Sequence, residues 1–592
     1  MFDPNKAPAT LPELAHRTFT RHAARPYLGQ KNKTTKQYEF ETYAAIATRI
    51  RNLAGAFLEL DFERGTRVAI LGENGPSWAI LDLAAQMCGL IVVPLYSTLP
   101  ANQIETILAD CGAAAIFVSD ANQNGKIESI RANLADLKHV WTFDDLGDLE
   151  KNGAAFLEKT PGLYEATWPA ALPDDVATII YTSGTTGTPK GVMLTHRNFV
   201  ANAEGIVQIA PHLNETEVFL SFLPLAHVYE RLAGHFLPLR LGASIAYCES
   251  LFTVDKNLGE ARPTMMTCVP RLYESTREKI LSASKVPKEK RETYFAAIDL
   301  AIKAGKAKGK APGAHSLSIV EKIKFMIYDR VVYSKIRDGF GGRLKHFISG
   351  GAPMSNELGA LFLGVGLEIL EGYGLTETSP VIAVNLPGKP VLGTVGPPLP
   401  GIEVQIAPDG EILTRGACVM KGYWNKPTET AEAIDKDGWF HTGDIGVLEG
   451  GRVKITDRKK DLLILGNGKN VAPQPIEIRL QESPFIAQAV LLGDSQKAIA
   501  ALLVPNFPAL REWAKTQNLN VEDDADLVKN PAVLAHFKAQ IEAQTTHLAD
   551  FEKIRKFALL PEALSSQNGE LTPTLKVKRR VVSEKYGALV GE

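Results

Sequence analysis

Cysteine is scarce in this chain and nowhere paired. Five of 592 residues, Cys88, Cys111, Cys248, Cys268 and Cys418, are scattered without any CxxC spacing. An odd, dispersed set disfavours a disulfide scaffold or a structural zinc site and fits reduced thiols in a cytoplasmic setting. Excess charge is also missing: the formal net charge is −2, so nothing draws the chain generally to nucleic acid or anionic membranes. The longest apolar stretch, around Ile80 to Pro94, is interrupted by Asp82 and Gln86. It falls short of the roughly 20 residues that a spanning helix requires. The opening Met1 to Lys6 lacks the charged-then-apolar order of a secretory signal. No short-period repeat and no low-complexity tract interrupts the chain. A cytoplasmic protein, at most peripheral at a membrane, is expected.

What remains is ordinary globular material: 45% apolar and 22% charged residues in a chain too long for a single core. Apolar runs at 67–71, 91–94 and 114–118 read as buried strands, and the patterns at 43–58 and 103–111 read as amphipathic helices between them. This alternation predicts an α/β fold with largely parallel sheets. A boundary is expected near Asp457-Arg458-Lys459-Lys460-Asp461, giving a large multi-lobed domain of layered sheets and helices over 1–457. A small, mobile α+β domain would follow over 458–592. Ala489–Gly493 and Ala500–Pro505 read as a strand pair within it. Residues 279–310 are rich in Lys and Ala, with Phe295, Ile298 and Ile302 at helical spacing. Such a helix suits either an anionic membrane surface or simple packing along one stripe.

Five short segments carry chemistry. In Tyr181-Thr182-Ser183-Gly184-Thr185-Thr186-Gly187-Thr188-Pro189-Lys190-Gly191, glycines admit close backbone approach, hydroxyls and N–H groups suit phosphate oxygens, and Lys190 adds a cation. The apolar run 176–180 just before it supplies a rigid support. Lys190 follows Pro189, so this is not the Gly-Lys-[Ser/Thr] ending of a P-loop. Gly372-Tyr373-Gly374-Leu375-Thr376-Glu377-Thr378 places a carboxylate in a glycine-rich, hydroxyl-bearing turn, as a magnesium–phosphate site needs; a solvated turn is the competing reading. Asp444, in His441-Thr442-Gly443-Asp444, is a short carboxylate able to accept two ribose hydroxyls, or a common turn residue. Arg458 and Lys576 are cations in segments that read, taken alone, as a charged turn and a basic tail.

In this order the segments resemble the adenylate-forming superfamily, from about residue 40 to 585, and most of all its long-chain fatty-acid–CoA ligases. The marks of that group are Leu223-Pro224-Leu225-Ala226-His227-Val228-Tyr229-Glu230-Arg231, Ser349-Gly350-Gly351-Ala352-Pro353-Met354, and an insertion over about 280–340. The resemblance implies a carbon–sulfur ligase using ATP, Mg²⁺ and coenzyme A on a fatty acid. Thr182, Ser183, Gly184, Thr185, Thr186, Gly187 and Lys190 would cradle the β- and γ-phosphates. Gly351, Ala352, Gly372 and Tyr373 would receive adenine. Thr376 would meet the α-phosphate and Glu377 would hold the metal, while Asp444 and Arg458 would bind the ribose. Lys576 would steady the carboxylate against the α-phosphate, Lys460 would be the hinge, and Gly466 to Asn470 would line the thiol path. His227 would gate that path, with a structural hydrogen bond as the alternative. Arg231 stands where some fatty-acid ligases carry a tunnel-guarding Trp, so their gate does not transfer. Three other functions stay open: a fatty acyl-AMP ligase loading a carrier protein, a luciferase-type oxygenase, and a lipid-binding member without activity. A homodimer is left open as well.

Overall fold

The computed structural model describes residues 6–182, 189–282, 286–311, 313–459, 461–466, 469–494, 496–519, 523–546, 548–565, 567–571 and 577–591. The chain divides into two compact units. The first comprises 1–350, 360–405 and 413–442; the second comprises 351–359, 406–412 and 443–592.

Two large sheets organise the first unit. In one, the strands Ile91–Leu95, Arg67–Leu71, Ala115–Val118 and His139–Thr142 run parallel beside Val176–Thr182. Lys190–Thr195 and the short strand Gly422–Tyr423 extend that edge antiparallel. The unbroken apolar character of 68–71 and 91–95 follows from burial on both faces, as parallel strands require. The helix Tyr43–Glu59 starts where Thr42 accepts the Ala45 N–H. Its Ile46, Ile50, Leu53 and Phe57 fall on one buried face. The interrupted run 80–94 resolves into a wholly buried helix, Pro76–Met87, and the strand Ile91–Leu95.

The second sheet of this unit orders Ala383–Val384, Glu368–Tyr373, His346–Ser349, Met265–Cys268, Val218–Ser221, Ser244–Tyr247, Pro26–Lys31 and Tyr38–Thr42. Its interior pairs are all parallel, and only the two edge strands are antiparallel. The carboxyl ends of the parallel strands therefore open toward one side of the sheet, the place where α/β sheets receive ligands.

The basic stretch forms the helix Arg291–Lys308. Ile298 is buried and Ile302 packs on a small cluster with Ala311, Ala360 and Leu392, while Phe295 stays exposed, so this helix uses most of its stripe for packing. Gly305 permits the contact: a Cβ there would stand 1.8 Å from the Ala360 carbonyl oxygen of the helix Asn356–Gly364.

The second unit contains the antiparallel pairing of 444–449 with 452–458 and a three-stranded sheet of Ile486–Leu492, Ile499–Pro505 and Ile554–Leu559. Ala489, Leu491, Ala501 and Leu503 enter one core, and Val490, Leu492, Ala500 and Leu502 enter another. Strand alternation thus feeds two apolar faces, covered on one by helices such as Pro473–Leu480 and Pro531–Thr545.

Candidate functional site

Two of the singled-out segments are flanked by paired residues. Thr182 pairs with Lys190 at the end of the antiparallel ladder formed by Val176–Thr182 and Lys190–Thr195. Ser183, Gly184, Thr185, Thr186 and Gly187 lie outside the described residues, between those two ends. An antiparallel bridge between Leu571 and Val577 closes the other segment in the same way. Lys576 lies within it and is likewise outside the described residues, as is Lys460. Just beyond Val577, Arg579 donates to Glu477 and to the Leu491 carbonyl, which ties the stem to the core of the second unit.

In the first unit the structure brings Lys190 and Glu377 together through a residue the sequence reading missed. Tyr423 donates its hydroxyl to Glu377 Oε1 at 3.0 Å, and Lys190 Nζ stands 5.1 Å from the centre of the Tyr423 ring. Tyr423 reaches this place because Gly422–Tyr423 pairs with the phosphate-loop strand, Tyr423 opposite Val192. The Thr430 hydroxyl accepts its N–H at 2.9 Å. Partial burial, and then the Glu377 carboxylate, push the Tyr423 phenol well above its ordinary range, so it remains a donor. The Glu377 backbone is held too, its carbonyl accepting the Met420 N–H at 2.8 Å. An isolated Gly-Tyr dipeptide carries no signal of this role; only the strand pairing reveals it.

The Gly372–Thr378 segment follows the carboxyl end of Glu368–Tyr373. Gly374 is required there, since a Cβ would lie 1.5 Å from the Pro380 carbonyl oxygen. The Thr378 hydroxyl accepts the Leu375 N–H and donates to Pro380, shaping the short 3₁₀ turn Thr376–Thr378 that presents Thr376 and Glu377. Gly372 pairs with Val384, and Tyr373 is 7% exposed.

The segment 223–231 separates into distinct parts. His227 is half-buried and begins a helical turn, its Nδ1 accepting the Tyr229 N–H at 3.1 Å; that bond leaves Nε2 to carry the proton of the neutral ring. Tyr229 donates to the Ile348 carbonyl at 2.5 Å. Glu230 is fully buried and takes the Thr267 hydroxyl. Burial pushes its carboxyl up to about 7, against the pull of Ser221 and Thr267. Arg231 is fully buried and forks onto Asp82 of the helix Pro76–Met87, with Thr178 Oγ1 at 2.6 Å. The residue that stands in place of a tunnel Trp is thus a core cation.

Within the second unit, Asp444 and Arg458 sit opposite each other on the hairpin, Arg458 Nε 3.3 Å from Asp444 Oδ1. Asp444 is buried and Arg458 half-buried. Lys459 bridges Asp409 at 2.6 Å and Glu411 at 3.0 Å, and Glu411 also accepts the Gly443 N–H. Gly351 and Ala352 are exposed, as is Gly466; Asn470 lies in the short pair Leu463–Ile464/Asn470–Val471.

The profile of the family described as AMP-binding enzyme matches residues 16–424, and that of the AMP-binding enzyme C-terminal domain matches 460–592. The chain belongs to the AMP-binding enzyme family. Among curated members, it is 35% identical to the long-chain-fatty-acid–CoA ligase FadD15 of Mycobacterium tuberculosis, covering 92% of this chain and 91% of the relative. It is 33% identical to the peroxisomal long chain acyl-CoA synthetase 6 of Arabidopsis thaliana, over 95% and 83%. The anthranilate CoA ligase AuaEII, solved in complex with anthranoyl-AMP, superposes with a TM-score of 0.73 at 18% identity, covering 97% of both chains. That likeness shows the adenylate-forming fold.

As a family member the chain carries a set of groups that fits a phosphate-bound divalent ion. No cluster of three or more His, Cys, Asp or Glu side chains forms a metal cage among the described residues. Mg²⁺ does not need one, because it keeps water and takes one or two carboxylates plus substrate phosphates. Glu377, oriented by Tyr423 beside the phosphate-loop stem, is a carboxylate of that kind.

Proposed function

We propose that this protein is an ATP-dependent long-chain fatty acid–CoA ligase. It activates a fatty carboxylate as an acyl-AMP with release of pyrophosphate, and passes the acyl group to the CoA thiol with release of AMP. The observation that carries the reading is the Lys190–Tyr423–Glu377 array at the mouth of the Thr182/Lys190 stem. The names borne by relatives at 33–35% identity supply the acyl class.

In the first half-reaction the fatty carboxylate oxygen attacks the α-phosphorus and the bond to pyrophosphate breaks. Positioning and charge neutralisation suffice for such a displacement. Residues 182–187 with Lys190 receive the β- and γ-phosphates, and Thr376 donates to the α-phosphate. Glu377 would hold Mg²⁺, which would supply charge neutralisation when bound. Tyr423 keeps the Glu377 carboxylate in one orientation. Gly351, Ala352, Gly372 and Tyr373 are assigned to adenine, the Asp444–Arg458 pair to the ribose, Lys460 to the hinge, and Gly466 with Asn470 to the thiol path. Lys576 supplies a cation to the first half-reaction alone. His227, with its proton on Nε2, is the gating candidate for the second.

The test is pyrophosphate release measured over carboxylates from acetate to oleate, with and without CoA. Release that rises with chain length, and a thioester formed once CoA is added, are expected. Acyl-AMP accumulating without any CoA thioester would replace the reading with a carrier-protein-loading ligase. Lys576→Ala should suppress acyl-AMP formation while sparing thioester formation from supplied acyl-AMP; equal loss of both would remove Lys576 from its assigned role.

A further inference from the structure

The helix following the basic stretch carries an apolar face that is left exposed among the described residues. Ile319–Tyr328 continues through the π-helical turn Asp329–Tyr333 into Ser334–Asp338. At 1.5 Å per residue this makes a rod of about 30 Å. Ile319, Val320, Ile323, Met326, Ile327 and Val331 are 78%, 62%, 50%, 61%, 55% and 51% exposed. At 100° per residue they fall in one sector of about 140°. The opposite side is the packed one: Phe325 meets the ring of fully buried Tyr333, and Tyr333 donates to the Ala297 carbonyl.

Exposed charge about this face is mainly basic, with Asp338 at the carboxyl end the one exposed carboxylate. Lys322, Lys324 and Lys335 are exposed beside it, and Arg330 is exposed within its sector. The two acidic residues of the stretch 319–335 are turned away and neutralised, Glu321 by Lys303 and Asp329 by Arg337. Scattered apolar side chains need no explanation, but a continuous stripe rimmed by unopposed cations is the composition of a helix lying in a lipid interface.

We propose that the helix 319–338 docks this protein onto the surface of an anionic lipid bilayer, its apolar stripe entering the headgroup boundary and its basic rim meeting lipid phosphates. No helix among the described residues is long and apolar enough to cross a membrane, so the contact is peripheral. The site lies one helix beyond the basic stretch that the sequence singled out: Ile298 and Ile302 of Arg291–Lys308 are packed, and its Lys303 holds Glu321 off the exposed face.

The full chain is sedimented with vesicles of phosphatidylcholine alone and with vesicles containing phosphatidylglycerol. Binding to the anionic vesicles only, weakened by salt, is expected. Lys322→Gln, Lys324→Gln and Arg330→Gln should each weaken it roughly five-fold. Ile323→Gln with Ile327→Gln should abolish it, while Leu172→Gln, at an exposed leucine elsewhere, should leave it unchanged. The positions are exposed, so circular dichroism and pyrophosphate release should match wild type. Failure to sediment with anionic vesicles, equal binding to neutral ones, or indifference to the Ile323/Ile327 pair would overturn the proposal. A wild-type dimer that the same pair dissociates would overturn it in favour of a second copy of the chain.

Discussion

Two places in the first unit are built from the same parts, a cation, a carboxylate and an aromatic ring, and they differ in how those parts are joined. In the core, Arg231 reaches Asp82 directly. The pair is fully buried, Thr178 takes a further guanidinium N–H, and the rings of Trp78, Phe199 and Phe236 stand 5.6–5.8 Å from the guanidinium. At the phosphate-loop stem, Tyr423 comes between Lys190 and Glu377. Among the described residues Lys190 forms no ion pair. Direct pairing spends both charges on each other; an aromatic spacer keeps opposite charges close without letting either neutralise the other. The first arrangement holds helix to strand, and the second leaves Lys190 the cation that the proposed function assigns to a phosphate.

The largest effect should come from breaking the saturated pair. Arg231→Met leaves a buried carboxylate without its cation and should cost about 3–5 kcal/mol, read as the urea midpoint of the first unit. Adding Asp82→Asn should recover much of this loss, because the stranded charge is gone. A full loss that Asp82→Asn does not relieve would mean that packing, not charge, is what Arg231 contributes.

Acidity divides the neighbours Glu230 and Arg231 in the same way. Burial pushes the Asp82 carboxyl up, but Arg231 and His235 outweigh it and hold it at about 2. Its contribution to stability is present above its ordinary value near 4 and is lost as pH falls toward 2. Among the described residues Glu230 has no cation, and it sits at about 7, above the ordinary value. The sign reverses: the folded form prefers the proton, so stability is greatest below about pH 4 and declines as pH rises through 7, by up to about 3 kcal/mol. Glu230→Gln should flatten that decline between about pH 4 and pH 7. Urea midpoints at several pH values decide it, and an unchanged slope would show that Glu230 is ionised in the fold.

At the open site the expected effect is on rate alone. Glu377→Gln keeps the shape and removes the charge proposed to hold the metal. Pyrophosphate release should fall about 100-fold, some 2.7 kcal/mol of transition-state stabilisation, with no change in the urea midpoint. A matching fall in stability would place Glu377 with the structural pair instead.

This contrast marks how far the sequence could be read. Patterns that depend on neighbours in the chain were legible: the strands at 67–71 and 91–95, the helix at 43–59, and the pair 486–492/499–505 all follow from apolar periodicity. Asp82 was legible only as an interruption, since its answering charge lies 149 positions away. Tyr423 was invisible for the same reason, being brought to Glu377 by strand pairing over 46 positions. Likewise the stripe of 295–302 and that of 319–331 obey one periodicity, and only packing decides which of them is covered.

The smallest effect is the most discriminating for the spacer. Tyr423→Phe keeps the ring under Lys190 and deletes only the hydroxyl that donates to Glu377. Losing one hydrogen bond to a charged group should cost about 1.5 kcal/mol, or roughly ten-fold in pyrophosphate release, chiefly in kcat if the bond orients the metal carboxylate. Tyr423→Leu removes the ring as well. If the spacer keeps the charges apart, Lys190 and Glu377 then close on each other, and the loss should exceed that of the Phe variant and appear also as a raised KM for ATP. Equal losses in the two variants would mean that the hydroxyl alone matters and that the ring separates nothing.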